Sequence, residues 1–184
     1  MQLLTSRLIL RSWGDSDRLA FAEMSGDVDV MEYLRPLATR GASDAWIDFQ
    51  INHEAAHGFC LWAVESRASG LFVGAVGLLR IGFAARFTPA VEIGWRLGKQ
   101  FWGQGLAVEA ARESLRFGFD EMQLNDIVAH ASTRNFRSRR VMEKIGMSHD
   151  SAEDFEHPRI PDNDPSRCQV LYRLTRDAWV SQCP

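Results

Sequence analysis

At 184 residues, 46% of them hydrophobic, the chain fits a single domain, 1–184, whose core needs neither disulfides nor metal. A net charge of −3 argues against nucleic acid as a partner, and no apolar run reaches the ~20 residues of a bilayer span. With no signal-peptide stretch in "MQLLTSRLILRSW", a soluble cytoplasmic protein is expected.

"RLILRSW" (7–13) is short and β-prone. "DSDRLAFAEM" (15–24) opens with capping residues and then spaces Leu19, Phe21, Ala22 and Met24 as a helix does. A second helix is predicted over 43–57, with Trp46, Phe49 and Ile47 or Gln50 at helical intervals and Gly58 as its stop. Three β-rich runs follow at 59–65, 71–79 and 90–97, the first two joined by a hairpin turn at "RASG" (67–70). A helix then runs from near Gly105 to about Phe119, followed by a strand at 126–132, a helix at 136–145 and a strand at 168–174. Antiparallel hairpins thus precede a β-α-β connection, which predicts an α/β (α+β) fold with a mixed sheet. The polar segment 153–167 holds three of the six prolines and reads as a loop, either ordered over a site or mobile at the surface.

Cys60, Cys168 and Cys183 are odd in number, widely spaced and form no C-x-x-C, which disfavours a disulfide framework or structural zinc. "HEAAH" (53–57) matches the H-E-x-x-H of zinc peptidases, with His53 and His57 one turn apart and Glu54 as base. No later histidine has the extended spacing, no clear third ligand can be named, and the helix ends at His57. No metal is expected.

In "KQFWGQGLAVEAAR" (99–112) the chain leaves a strand and starts a helix through Gly103 and Gly105. A helix N-terminus presents unpaired N–H groups and partial positive charge, and glycines there let an anion approach the amides of residues 101 to 107. A plain turn would use the same residues. The Rossmann pattern fails because position 108 is Val, and no G-K-[ST] for a P-loop appears. Downstream, in "TRNFRSRRVMEKIGM" (133–147), Asn135 can cap a helix that Gly146 stops.

Gln100, Gly103 and Gly105 resemble the acetyl-coenzyme A signature Q/R-x-x-G-x-G/A of the GNAT N-acetyltransferase superfamily. N-x-x-S followed by E-K-I-G-M resembles the GNAT helix beside the cofactor. "EIGWRL" with "FWGQGLA" resembles the ribosomal-protein N-acetyltransferase-like branch, and the likeness covers about residues 5 to 175. It implies that acetyl-CoA is bound by Gln100, Phe101, Trp102, Gly103, Gln104, Gly105, Leu106 and Ala107, with Asn135 nearby. Backbone groups of Trp95 and Leu97 would pair with the pantetheine arm. The basic cluster of Arg134, Arg137, Arg139, Arg140 and Lys144 is either a solvated face or, through Arg140, a contact for the 3′-phosphate.

The resemblance also implies the GNAT acyl-CoA N-acyltransferase fold, a mixed, twisted sheet with helices on both faces, and transfer of an acetyl group to an amine. Glu92, between Val91 and Ile93, is the expected base. Many relatives carry a donor tyrosine where this chain has Met142, so Ser138 is the candidate donor. His130 is either a packing or hydrogen-bonding residue or a helper in deprotonating the amine, and His157 either packs or borders the acceptor pocket from its loop. The expected acceptor is a small amine or a peptide N-terminus, and Asp154, Glu156, Asp162 and Asp164 could draw in a cationic one. A homodimer is favoured by likeness to the branch. The other readings are a non-catalytic acyl-CoA sensor and, behind it, the zinc peptidase of residues 53–57.

Overall fold

Leu8 and Leu10 turn inward along "LILR" while Ile9 and Arg11 stay half-buried, the two-residue period of a strand with one face on a core. In the computed structural model, which describes residues 1–37 and 39–182, this strand belongs to the first of two compact units. The first unit comprises Met1–Leu79 with Gly94–Ser114, the second Arg80–Ile93 with Leu115 onward.

In the first unit β1 (Gln2–Leu4), β2 (Leu8–Arg11), β3 (Leu61–Ser66) and β4 (Phe72–Arg80) pair antiparallel in chain order. The predicted turn at 67–70 closes the β3–β4 hairpin, with Gly70 N–H donating to Ser66 O. Gly98 N–H donates to Val73 O just beyond β5 (Val91–Leu97). Three helices follow the first strands: α1 (Asp17–Ser25), the single turn α2 (Val28–Met31) and α3 (Arg40–His57). Thr39 caps α3, and Gly58, in the left-handed region at φ 79°, ends it as expected.

The helical register differs from the sequence reading in detail. Leu19 is 59% exposed, whereas Asp17 and Ser25 are buried beside Phe21 and Met24. Asp17 can go inside because Arg11 holds it bidentately at 2.7 and 2.8 Å. On α3 the buried residues are Ser43, Ile47, Gln50 and His53, and Phe49 faces solvent.

The second unit is built on β6 (Asp126–Ser132), whose Ile127, Val128 and Ala129 are completely buried. All seven residues of β6 pair antiparallel with β9 (Cys168–Thr175). The far edge of β9 receives β7 (Ser148–His149) and β8 (Phe155–Glu156), so part of the polar segment 153–167 is strand. The other edge of β6 meets β5 in parallel, registered at Glu92 opposite Val128. Met142 of α5 (Phe136–Lys144) is buried in this unit, as is Ile145 just after it. α4 (Leu106–Arg116) passes into a wide π-turn at Phe117–Glu121 that buries Phe117 and Phe119, and Trp179 of α6 (Arg176–Gln182) stacks on Phe119 at 5.7 Å.

Cys60 is buried and Cys168 exposed, both as free thiols, and burial pushes the Cys60 thiol well above its usual range. Cys183 lies outside the described residues.

Candidate active site

Alternation along β5 buries Val91 and Ile93 and leaves the side chain of Glu92 part-open between them. In the same unit, His130 Nε2 lies 2.8 Å from Glu92 Oε2, and His130 Nδ1 lies 3.1 Å from Gln169 Oε1. Gln169 Nε2 donates to Ser166 O, which turns its carbonyl oxygen toward the imidazole. An oxygen there can only accept, so Nδ1 carries a proton. The Nε2–Oε2 contact then shares one further proton, and Glu92 Oε1 makes no hydrogen bond among the described residues.

Phe83, Phe155 and His157 surround the His130 ring, with centroids 5.9, 5.6 and 5.5 Å away. Burial pushes the His130 imidazole down, but hydrogen bonds from Glu92 and Gln169 outweigh it, and the net direction is up. His157 goes the other way: burial and the neighbouring His130 lower it, with Arg159 adding to that and Glu92 opposing. A carboxylate hydrogen-bonded to an imidazole and ringed by aromatic side chains is placed to accept a proton from an amine. Of these residues, sequence reasoning missed Gln169, Phe83 and Phe155. The traces it could have used are the one amide in "CQVLYRL" and the Phe83–Phe87 spacing in "GFAARF".

In the first unit, a 3₁₀ turn at Lys99–Phe101 leads into the two glycines, at φ 74° for Gly103 and 78° for Gly105. A Cβ at Gly103 would meet nothing within 4 Å, and one at Gly105 only Arg7 Nη2 at 3.7 Å. The glycines therefore serve the backbone angle and leave open space at the start of α4, the kind of helix N-terminus whose amides can meet an anion. The turn is braced from within: Gln104 Nε2 donates to Gln100 O at 2.9 Å, and Trp102 Nε1 to Leu97 O at 2.8 Å. That last bond occupies one lone pair of the Leu97 carbonyl.

Arg7 donates to Gln104 O at 3.0 Å and to Glu109 Oε2 at 2.6 Å, and Glu109 Oε1 also accepts from Thr5, Ser6 and the Arg7 backbone. Burial would raise the Glu109 carboxyl, but these bonds win and pull it from 4.5 to about 2. Because the folded value is the lower one, the stabilisation is complete above pH 4.5 and disappears as the pH falls toward 2. Glu109→Gln is expected to melt below wild type at neutral pH, with a gap that narrows below pH 4.5. A gap independent of pH in thermal melts would contradict this.

In the second unit Asn135 caps α5 by accepting from Ser138 N at 3.0 Å, and Arg140 is exposed on that helix. Met142 is 1% exposed and packs as a core residue. The acidic residues of 153–167 are each engaged: Glu153 with Arg173, Asp154 with His149, Glu156 and Asp162 with Arg167, Asp164 with Ser166.

The residues of "HEAAH" are engaged as well. His53 is buried, with Nδ1 2.7 Å from Phe59 O, and Glu54 accepts from Ser12 and from the Trp62 indole. Among the described residues no group of three or more His, Cys, Asp or Glu is placed to hold a metal ion. No described helix is long and apolar enough to cross a membrane.

The acetyltransferase (GNAT) domain model matches residues 7–148. The FsC-acetyl coenzyme A-N(2)-transacetylase of Aspergillus fumigatus is 30% identical over 97% of this chain and 77% of its own length. A putative ribosomal N-acetyltransferase, YdaF of Bacillus subtilis, is 38% identical over 38% of each chain. Among solved structures, a GNAT-family acetyltransferase from Bacillus anthracis superposes with a TM-score of 0.79 at 26% identity, covering 96% of this chain and 99% of that one. A domain match over so much of the sequence, joined to a shared fold, places this protein in the GNAT family as an acetyl-CoA-dependent acetyltransferase.

Proposed function

We propose that the chain moves the acetyl group of acetyl-CoA directly to a primary amine, on a small molecule or a peptide N-terminus, within a ternary complex. The observation that carries this reading is the Glu92–His130–Gln169 chain of contacts, which provides a buried imidazole and a carboxylate oxygen open to a proton. The relatives support nitrogen as the acceptor, since one is named for N(2) transfer and another for ribosomal N-acetylation.

Acetyl-CoA, when bound, supplies a thioester carbonyl open to attack by the amine. In the first unit, Gly103 and Gly105 leave the amides of residues 101–107 approachable, with Gln100, Phe101, Trp102, Gln104, Leu106 and Ala107 forming the turn and the first helical residues. Trp95 and Leu97 offer strand backbone to an extended arm. Asn135 holds the start of α5, and Arg140 carries positive charge for a phosphate. Glu92 takes the proton that the ammonium must lose, because an amine of pKa ~8–10 is mostly protonated at neutral pH. Ser138, a first-turn residue of α5 with its amide held by Asn135, offers a hydroxyl to the departing thiolate.

A thiol-release screen of peptides, polyamines, amino acids and aminoglycosides tests the acceptor. Turnover with at least one amine class is expected. Binding of acetyl-CoA without turnover on any amine would point instead to a sensor.

A further inference from the structure

Four aromatic side chains converge beside the Glu92–His130 contact, all from within the second unit. Phe83 and Phe87 come from the connection 81–90 that precedes β5. Ile81 N–H closes that connection on Ala90 O at 3.0 Å, and the Thr88 hydroxyl accepts from Ala85 N and donates to Ala85 O, both at 2.9 Å. Phe155 is registered opposite Gln169 on β9, and His157 follows two residues later, its N–H donating to Arg167 O. Ring centroids lie 4.5 Å apart for Phe83 and His157, 4.9 Å for Phe87 and Phe155, and 6.1 Å for Phe83 and Phe155. All four rings are half-buried, and the side chains of Glu92 and His130 are 24% and 15% exposed. The rings thus form a wall that a ligand can reach, ending at a carboxylate.

The charges around this wall differ in sign from one end to the other. Glu92 is paired with His130 and, among the described residues, with no arginine or lysine. The neighbouring acidic side chains are already spent: Glu153 on Arg173, Asp154 on His149, Glu156 and Asp162 on Arg167. Arg159 lies over the Phe83 ring at 5.9 Å and donates to Gly82 O, and Arg86 donates to the carbonyls of Ala152 and Asp154. Burial and His130 lower the His157 imidazole, which leaves it neutral at neutral pH. An ammonium therefore meets Glu92 and aromatic faces, which attract a cation and cover apolar carbon. A second ammonium on the same molecule would meet arginines in place of a free carboxylate.

We propose that Phe83, Phe87, Phe155 and His157 select the acceptor as a primary amine with one positive charge and an apolar group, aryl or branched alkyl, beside its amino carbon. The inference rests on the proposed role of Glu92, because that role brings the amine to this wall. Two sources share this chemistry, a small arylalkyl amine and a peptide whose first side chain is aromatic.

Thiol release at saturating acetyl-CoA is compared for phenethylamine, ethanolamine and putrescine, and for peptides that differ only in beginning with phenylalanine or serine. Wild type is expected to favour the aromatic member by about tenfold or more in kcat/KM in at least one of the two sets. A preference among the small amines alone identifies a small acceptor, and one among the peptides alone identifies an N-terminus. Phe83→Leu and Phe155→Leu should each narrow the preference several-fold, with ethanolamine or the serine peptide as the internal reference. In a second measurement phenethylamine and ethanolamine are titrated into wild type, with and without coenzyme A, while the His130 ring resonances are followed by NMR. Phenethylamine should shift them at about tenfold lower concentration.

Equal kcat/KM within both sets, or a preference for putrescine, overturns the proposal and leaves the role of Glu92 intact. Tighter binding of phenethylamine without turnover on any amine keeps the aromatic wall as a binding site while the acetyl-transfer reading fails. Wild type that neither turns over any of these amines nor responds to phenethylamine overturns both.

Discussion

Glu92→Gln is expected to lower the maximal rate of acetyl transfer by ~10²- to 10⁴-fold, the usual worth of a positioned base, with acetyl-CoA affinity changed only a few-fold. The amide is nearly isosteric with the carboxylate but cannot take a proton from the ammonium. The loss should shrink at high pH, where solvent deprotonates the amine before it binds. A second readout separates this role from a structural one. In wild type, hydrogen bonds from Glu92 and Gln169 overcome burial and raise the His130 imidazole above 6.5. Without the carboxylate, burial prevails, and the ring should titrate below its wild-type position by NMR. Full activity of the variant at neutral pH would remove Glu92 from the proton path.

Gly105→Val is expected to weaken acetyl-CoA binding by ~10²-fold or more while leaving the chain folded. The residue sits at φ 78°, where an L side chain is strained by roughly 1–2 kcal/mol, and a β-branched one by more. That strain is small beside whole-domain stability, but relaxing it turns the amides of the 103–107 turn away from their common direction. A hydrogen bond to a charged group contributes about 1.5–3 kcal/mol, so two misdirected amides suffice for the loss. The new side chain would also stand in space that is open apart from Arg7 at 3.7 Å. Calorimetry on a variant whose melting point stays near wild type checks this. Undiminished affinity would contradict placement of the phosphates on the turn.

Where the chain has a long period or a strong stop, its sequence was legible. The strand at 126–132 forms over those same residues, and α3 ends at Gly58 as read. β7 and β8 are two residues each, too short for any period to mark. The face of α1 was misread at Leu19, which is exposed while Asp17 is buried, because burial of an aspartate depends on an arginine from β2, a tertiary fact. The alternation that leaves Glu92 part-open between buried Val91 and Ile93, and the glycine turn before α4, were legible through local pattern. Gln169 was not, because its meaning arises only when β9 pairs with β6 and brings it beside His130. The two histidines of "HEAAH" show the converse: their five-residue pattern suggests a ligand set, yet His53 is a core residue bonded to Phe59.

The central claim, amine acetylation through Glu92, is tested most directly by following free thiol and acetylated amine together in one reaction, for wild type and Glu92→Gln at equal acetyl-CoA saturation. The account predicts equal amounts of thiol and N-acetyl product with wild type. It predicts at least a hundredfold slower formation of both with the variant near neutral pH. Thiol release that continues without acetylated amine, or at the same rate in the variant, would contradict it.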